Sequence, residues 1–445
     1  MARIVFYEPS AKYSHIFQRY YMPRLGPILL ATILQREGHD VTVYSDAIQT
    51  TTMQNLLDAD LVGISSITST VPRAYETADF LRSKGVPVVL GGPHVTFMAE
   101  EGLQHADYVF RGEADKIITP LVDAILSGDG LEDIPGLCFR RNGEIVDNGP
   151  VPLVQNLDEL PNPDFSLLQK TTKIPRKFLP AAIMTSRGCP YNCSFCSVTK
   201  MFGKEYRFRS TEQVLEDLSL MDLEGRRLFF CDDHLAANET RLYELLEGVL
   251  SRGLRFSWTA QVRVDVARNE RLLSLMRRSG CRTLFLGFES INPATLASYN
   301  KHQTVQDIES SIHLIRKYGI RIYGMFVFGS DTDTIEMVDV TPDFAIRNGI
   351  ETYQTLVLTP LPGTALFEEF KQQGRLLTND WSRYNTHHLV FEPAMMGSEE
   401  LHSAIIRGLK KFYSVKRIVG EIIHLRFSEA GSKIRNRRAH LHAGN

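Results

Sequence analysis

The stretch AAIMTSRGCPYNCSFCSVTK, residues 181–200, joins a short apolar run to three closely spaced cysteines. Residues 181–186 read as a buried strand, and Cys189, Cys193 and Cys196 follow it with the spacing C-x3-C-x2-C. Three thiols are one too few for a closed structural metal site. A structural zinc wants a fourth Cys or His, and Cys138, Cys231 and Cys281 each stand alone within or beside an apolar run, where a cysteine reads as a small buried hydrophobe. A [4Fe–4S] cluster held by three thiolates instead leaves one iron open to an outside ligand, a reactive arrangement. The thiols themselves leave both readings open.

Outward from this loop, the chain repeats the strand-then-helix pattern. Residues 227–231 (RLFFC), 257–261 (SWTAQ), 283–288 (TLFLGF), 322–329 (IYGMFVFG) and 354–359 (QTLVLT) read as further strands, with helical stretches between them. In STEQVLEDLSLM, Ser210 caps a helix that sets Val214, Leu215 and Leu218 on one face. Six β/α units in a row predict a partial (β/α)6 TIM-type barrel, whose active site gathers at the carboxyl ends of its strands. Cys189, Asp232, Asp233, Gln261, Glu289 and Gly329 all fall at such ends.

Upstream, residues 3–7 (RIVFY), 41–44 (VTVY), 61–65 (LVGIS), 87–92 (PVVLGG) and 108–112 (YVFRG) read as buried parallel strands. Helices over residues 25–38 and 72–85 close on glycines. This predicts an α/β, doubly wound (Rossmann-like) domain over residues 1–150, with its ligand beyond the strand ends. The proline-punctuated residues 151–178 read as a linker packed on the surface, residues 179–375 as the barrel, and residues 376–445 as a mainly helical C-terminal region ending in a basic tail.

A chain of 445 residues accommodates two or three domains. Its net charge of −2 gives no reason to expect nucleic-acid binding. The exception is the end, where Arg407, Lys410, Lys411, Lys416, Arg417, Arg426, Lys433, Arg435, Arg437 and Arg438 face only Glu421 and Glu429. That excess suits a solvated tail, or peripheral contact with an anionic membrane surface. The N-terminus lacks a signal-peptide apolar region, and no apolar run is long enough for a transmembrane segment. Few, clustered cysteines point to a reducing, cytoplasmic setting.

The motifs resemble those of radical S-adenosylmethionine (SAM) enzymes. RGCPYNCSFC is similar to that family's cysteine loop, including the aromatic Phe195. FFCDDHLAAN resembles its second-strand segment, with Leu235 where Phe is usual. WTAQVRVD and LFLGFESIN resemble the third- and fourth-strand segments, and GMFVFGSD and TPLPGT the strand ends that line the adenine. The resemblance implies that Cys189, Cys193 and Cys196 hold a [4Fe–4S] cluster. It also implies SAM contacts at Phe195, Asp232, Asp233, Gln261, Arg263, Glu289, Val327 and Leu358.

DLVGISSITSTVPRAY, VVLGGPHVT and FRGEAD resemble turns of the cobalamin-binding module that precedes this barrel in one class, the class B methyltransferase-like enzymes. Ser65, Thr68, Gly91, Gly92, Pro93, His94, Gly112 and Glu113 are then the cobalamin-binding candidates. The D-x-H-x-x-G fingerprint of methionine-synthase-like modules is absent, and residues 1–137 lack the cysteines of methylthiotransferases. Taken whole, the resemblance implies cleavage of SAM to a 5′-deoxyadenosyl radical and methylation of an unactivated carbon on a small-molecule or lipid substrate. A flavodoxin or ferredoxin would donate the electron. Radical cyclisation or rearrangement, a non-enzymatic iron–sulfur scaffold and a zinc-binding structural protein are the competing readings. Tyr206, Arg207 and Arg209 are expected either to face the pocket or to form structural ion pairs, and residues 381–393 to wall the substrate.

Overall fold

The computed structural model describes residues 1–13, 22–49, 51–169, 181–423, 433 and 436. Arg426, Arg435, Arg437 and Arg438, four of the ten basic residues of the C-terminal excess, lie outside the described residues.

The N-terminal sheet is built from β1 (Arg3–Glu8), β2 (Asp40–Ser45), β3 (Leu61–Ser65), β4 (Val88–Gly91), β5 (Tyr108–Phe110), β6 (Leu137–Arg141) and β7 (Glu144–Asp147), ordered β2-β1-β3-β4-β5-β6-β7. The first five strands are parallel. Their order reverses at β1, so a crevice opens beyond the carboxyl ends of β1 and β3. Helices Leu25–Arg36 and Ile118–Ser127 cover one face, burying Ile28, Leu34, Ile118 and Leu121 against Ile4, Phe6 and Val41. Helices Val71–Ser83 and Ala99–His105 cover the other, against Val5, Val62 and Val88.

The last two strands form an antiparallel hairpin that the strand pattern did not predict. Its turn is Asn142–Gly143, both at positive φ (53° and 88°), the two-residue connection that matches the twist of the flanking strands.

The second sheet comprises β8 (Ala181–Ile183), β11 (Arg227–Phe230), β12 (Ser257–Val262), β13 (Cys281–Glu289), β14 (Arg321–Phe328) and β15 (Thr352–Val357), all parallel and in sequential order. A short antiparallel pair, β9 (Ser186–Arg187) and β10 (Arg207–Phe208), brackets the cysteine loop. The six-stranded sheet is the expected partial barrel, and its predicted strands all form. Leucines and isoleucines of the surrounding helices, such as Leu242, Leu246, Leu272, Ile308 and Ile312, fill the layer outside it.

Residues 151–169 run along the N-terminal domain, burying Val154, Leu157 and Leu160 against Leu29. The C-terminal region divides its contacts. Trp381, Tyr384 and Val390 enter the core of the N-terminal domain, whereas helix Ser398–Phe412 packs its Leu401, Ala404 and Phe412 on the barrel. Among the described residues no helix is long and apolar enough to cross a membrane.

Candidate active site

The cysteine loop begins at Gly188, whose φ of +85° and close neighbours both require glycine: a Cβ there would lie 2.2 Å from the carbonyl oxygen of Glu205. Residues 202–205 therefore press directly on the loop, and the Cys189 amide donates to the Gly203 carbonyl at 3.4 Å. Cys189, Cys193 and Cys196 are half-buried, and the Cys196 amide donates to the Cys193 carbonyl. Burial, then the neighbouring Cys193, Asp233 and Cys189, push the Cys196 thiol up to about 12. The Cys189 thiol is also raised, chiefly by burial. Ligation of a metal centre must therefore displace protons from these sulfurs. Among the described residues no group of three His, Cys, Asp or Glu side chains converges on one ion position. A cube of irons takes each thiolate at a different iron, so a cluster does not need the three thiols to meet at a single ion position. Cys138 and Cys281 are buried as expected, and Cys231 is half-buried.

Two clamps hold the loop. On one side the Tyr191 hydroxyl donates to Asp265 at 2.7 Å while the Arg263 guanidinium lies 3.7 Å from its ring centroid. On the other, the Ser194 amide donates to Tyr299 O at 3.2 Å, the Ser194 hydroxyl to Ser298 O at 3.2 Å, and the Asn300 amide group to Asn192 O at 3.0 Å. Tyr191, Asp265, Tyr299 and Asn300 carried no warning in the sequence, because each acts through a partner far along the chain.

The predicted acidic pair divides. Asp232, 1% exposed, accepts hydrogen bonds from the Thr185 amide and hydroxyl and from the Ser186 hydroxyl, so it ties the end of β11 to the end of β8. Asp233 has no hydrogen-bond or ion-pair partner among the described residues. Burial and then the charge of Asp232 raise its carboxyl to about 7, while its field reaches Cys189 and Cys196. Arg263 is buried, and its guanidinium donates to the Lys301 carbonyl. The Gln261 side chain is half-buried at the end of β12 and makes no hydrogen bond among the described residues.

Glu289 closes β13 in an unusual way. The β13–β14 register shifts between Gly287 and Glu289, a bulge that re-aims the strand end. Glu289 then adopts φ +63° and is 7% exposed, its carboxylate 2.6 Å from Lys301 Nζ. Phe195, Val327 and Leu358, far apart in sequence, meet as expected: they share one apolar cluster with Tyr299, Phe370 and Phe391. Phe195 stands edge-on to Tyr299 at 5.0 Å.

Beside the loop lies a cavity of about 310 Å³ at the carboxyl ends of β1, β3, β4 and β5. The cobalamin candidates Ser65, Gly91, Gly92, Pro93, Gly112 and Glu113 line it, and Phe6, Leu25, Leu29, Ile64 and Phe110 supply an apolar wall. A Cβ on Gly91 would meet nothing within 4 Å, so bare backbone faces the open space. Gly92, at φ +99°, abuts the Ser66 carbonyl, 2.4 Å from where its Cβ would stand. An apolar chamber of this size with a glycine rim suits the base of cobalamin's nucleotide tail, which bare backbone lets approach closely.

Three of the cobalamin candidates are held by protein partners. Thr68 and His94 do not line this cavity. The His94 ring is 1% exposed, with Nδ1 3.2 Å from Thr68 Oγ1 and Nε2 3.4 Å from Glu101 Oε1, which also accepts the Trp381 indole N–H at 2.8 Å. Both nitrogens thus serve the seam between the N-terminal domain and the C-terminal region. Glu113 reaches the cavity wall, but its carboxylate is committed to Arg207 (2.6 and 3.0 Å), Arg187 (3.3 Å) and the Val154 amide (3.0 Å). Arg207 takes the ion-pair alternative with Glu113, whereas Arg209 both pairs with Asp217 and lines the cavity.

Known proteins share this sequence and architecture. The chain matches the Radical SAM superfamily over residues 183–341 and the B12 binding domain over residues 19–122. It is 35% identical over 408 residues to an uncharacterized methyltransferase of Pyrococcus horikoshii, covering 88% of each chain. It is 30% identical over 406 residues to the bacteriochlorophyllide d C-12(1)-methyltransferase of Chlorobaculum tepidum, covering 89% of this chain and 85% of that one. Its fold superposes with a TM-score of 0.70 on the radical SAM methyltransferase TsrM of Kitasatospora setae, solved with cobalamin and a [4Fe–4S] cluster bound, at 18% identity over 93% of this chain and 89% of that one.

Proposed function

The chain belongs to the cobalamin-dependent radical SAM methyltransferase family, and we propose that it methylates an unactivated carbon of a small-molecule or lipid substrate held between its two domains. When bound, the cluster and SAM supply a 5′-deoxyadenosyl radical, and cobalamin supplies the methyl group.

One observation carries this reading. Residues 184–209 run from the cavity wall, at Met184 and Arg187, through the three cysteines and back to it at Met201, Phe202 and Arg209. The segment that carries the three thiols thus also forms part of the cavity wall. Chemistry that needs both cofactors is confined to that seam, where a reactive radical is kept from water.

In this reading Cys189, Cys193 and Cys196 hold the cluster. Asp233, with no partner of its own, accepts a hydrogen bond from the methionine ammonium. Asp232 holds the strand ends that present it, Gln261 faces the ribose, and Glu289 accepts from the ribose hydroxyls or the amino group. Arg263, buried against the cysteine loop, contributes positive charge on the side of the methionine carboxylate. Phe195, Val327 and Leu358 flank the adenine, while Ser65, Gly91, Gly92, Pro93 and Gly112 let the backbone approach cobalamin. A small one-electron carrier of the flavodoxin or ferredoxin type supplies the electron in the cytoplasm. The basic tail contacts an anionic membrane surface where the substrate is a lipid; Val415 and Val419, 54% and 44% exposed, would add apolar contact beside Lys416.

The test is anaerobic reconstitution with dithionite, followed by comparison of metabolites with and without the gene. Formation of 5′-deoxyadenosine and a product heavier by one methylene is expected. A product that has lost hydrogens without gaining carbon would replace methylation by ring closure. No 5′-deoxyadenosine at all would sink the enzymatic reading.

A further inference from the structure

We propose that residues 300–303 form an alignment segment that sets Glu289 against the cluster loop, with Lys301 as the positioning residue. The inference rests on the reading of Glu289 as a SAM contact and names what holds it in place.

Four consecutive residues reach three separate parts of the site. Asn300 Nδ2 donates to Asn192 O, between the first two cysteines, at 3.0 Å. Lys301 Nζ lies 2.6 Å from Glu289 Oε1, and the Lys301 carbonyl accepts from the buried Arg263 that stacks on Tyr191 of the cluster loop. Gln303 Nε2 donates to the carbonyls of Phe288 at 2.9 Å and Gly287 at 3.4 Å, the bulge that aims Glu289. A shift of this segment would therefore move the cluster loop and the carboxylate together.

The backbone is held where it is unfavourable. Among the described residues only five other than glycine have positive φ, and Glu289, Asn300 and His302 are three of them. Such conformations are sparsely populated and persist only where surrounding contacts over-determine them. Gly287 completes the fit: a Cβ there would stand 2.3 Å from Glu289 Oε1 and 3.1 Å from Lys301 Nζ, so the ion pair occupies the space a side chain would take. Lys301 and Glu289 are 6% and 7% exposed. A buried ion pair is weak evidence of stabilisation in itself, whereas one that fixes the orientation of a carboxylate at the mouth of a barrel has a geometric use.

The test uses the full chain, reconstituted anaerobically. SAM affinity is read from the change SAM causes in the electron paramagnetic resonance spectrum of the reduced cluster, alongside iron and sulfide content and the unfolding temperature. Lys301→Met is expected to keep its cluster and weaken SAM binding by about 10–100-fold, the usual effect of losing a group that orients a ligand. Lys301→Arg should recover part of that loss. Gln303→Leu removes the support of the bulge without stranding a buried charge, so it decides the matter if Lys301→Met does not fold; it should weaken SAM binding in the same direction. The proposal is overturned if these variants bind SAM within about twofold of the parent chain, or if affinity falls only in step with cluster content and unfolding temperature. Glu289→Gln separates the two claims: normal SAM binding in that variant overturns the reading of Glu289 itself, whatever the Lys301 variants do.

Discussion

The two sheets prepare their ligand sites by opposite means. At the end of the N-terminal sheet the site is made by leaving side chains out. Gly91, Gly92 and Gly112 expose backbone, and the nearby carboxylates Glu113 and Asp115 are neutralised by Arg207 and Arg187. At the mouth of the barrel the site is made by side chains held ready: Asp233 without a partner, Glu289 on a strained backbone, and three thiols on a clamped loop. A cavity defined by absent atoms is sensitive to added volume. A constellation of functional groups is sensitive to the loss of a single donor or charge.

Substitutions on each side test that contrast. Cys196→Ala should have the largest effect, abolishing the visible absorption of the cluster and all 5′-deoxyadenosine formation while cobalamin is still taken up; a variant that kept its cluster would refute the assignment. Next comes the seam between the two sites. Glu113→Leu leaves Arg207 buried without its carboxylate, and removal of one partner from such a pair costs about 3–5 kcal/mol. Chemical denaturation should show that loss, and an unchanged midpoint would mean the two domains do not depend on this contact.

Gly92→Ala adds the strain of positive φ, about 1–3 kcal/mol, to a Cβ 2.4 Å from the Ser66 carbonyl oxygen, and it should lower cobalamin per chain while iron content stays at the parent value. Equal loss of both cofactors would erase the proposed distinction between the sites. The smallest effect is electrostatic. Asp233 carries a carboxyl raised from 3.8 to about 7, first by burial and then by Asp232. The folded chain thus binds that proton more tightly than the unfolded chain, so this group favours folding at low pH and the advantage disappears as pH rises from about 4 to about 7. In the cluster-free protein, Asp233→Asn should flatten the pH dependence across that window and raise stability at pH 8 relative to the parent; a parallel curve would show that Asp233 stays charged.

Much of this arrangement is legible from local pattern. All six barrel strands, the five parallel strands of the first domain and the cysteine loop follow from short-range periodicity and spacing. The grouping of Phe195, Val327 and Leu358 follows instead from the resemblance of their motifs to those of radical SAM enzymes. The hairpin of β6 and β7 lies outside the predicted strands, although Asn142–Gly143 is a turn signal between two short runs. The rest was not legible. His94 looks like a crevice residue from its position after β4, but Trp381 and Glu101 enclose it from elements distant in sequence. Residues 381–393 look like a wall for substrate, whereas Trp381, Tyr384 and Val390 fill the core of the first domain.

The amino-acid sequence by itself determined which elements form and which residues arrive at their carboxyl ends, because strand and helix periods and cysteine spacing are local properties of the chain. Only the tertiary structure decided what each of those residues does on arrival. Asp232 became a tie between strands and Asp233 an open carboxylate, although they are adjacent. The difference lies in partners contributed by Thr185 and Ser186, some 46 residues away, and the burial and charge they impose exist only once the chain has folded.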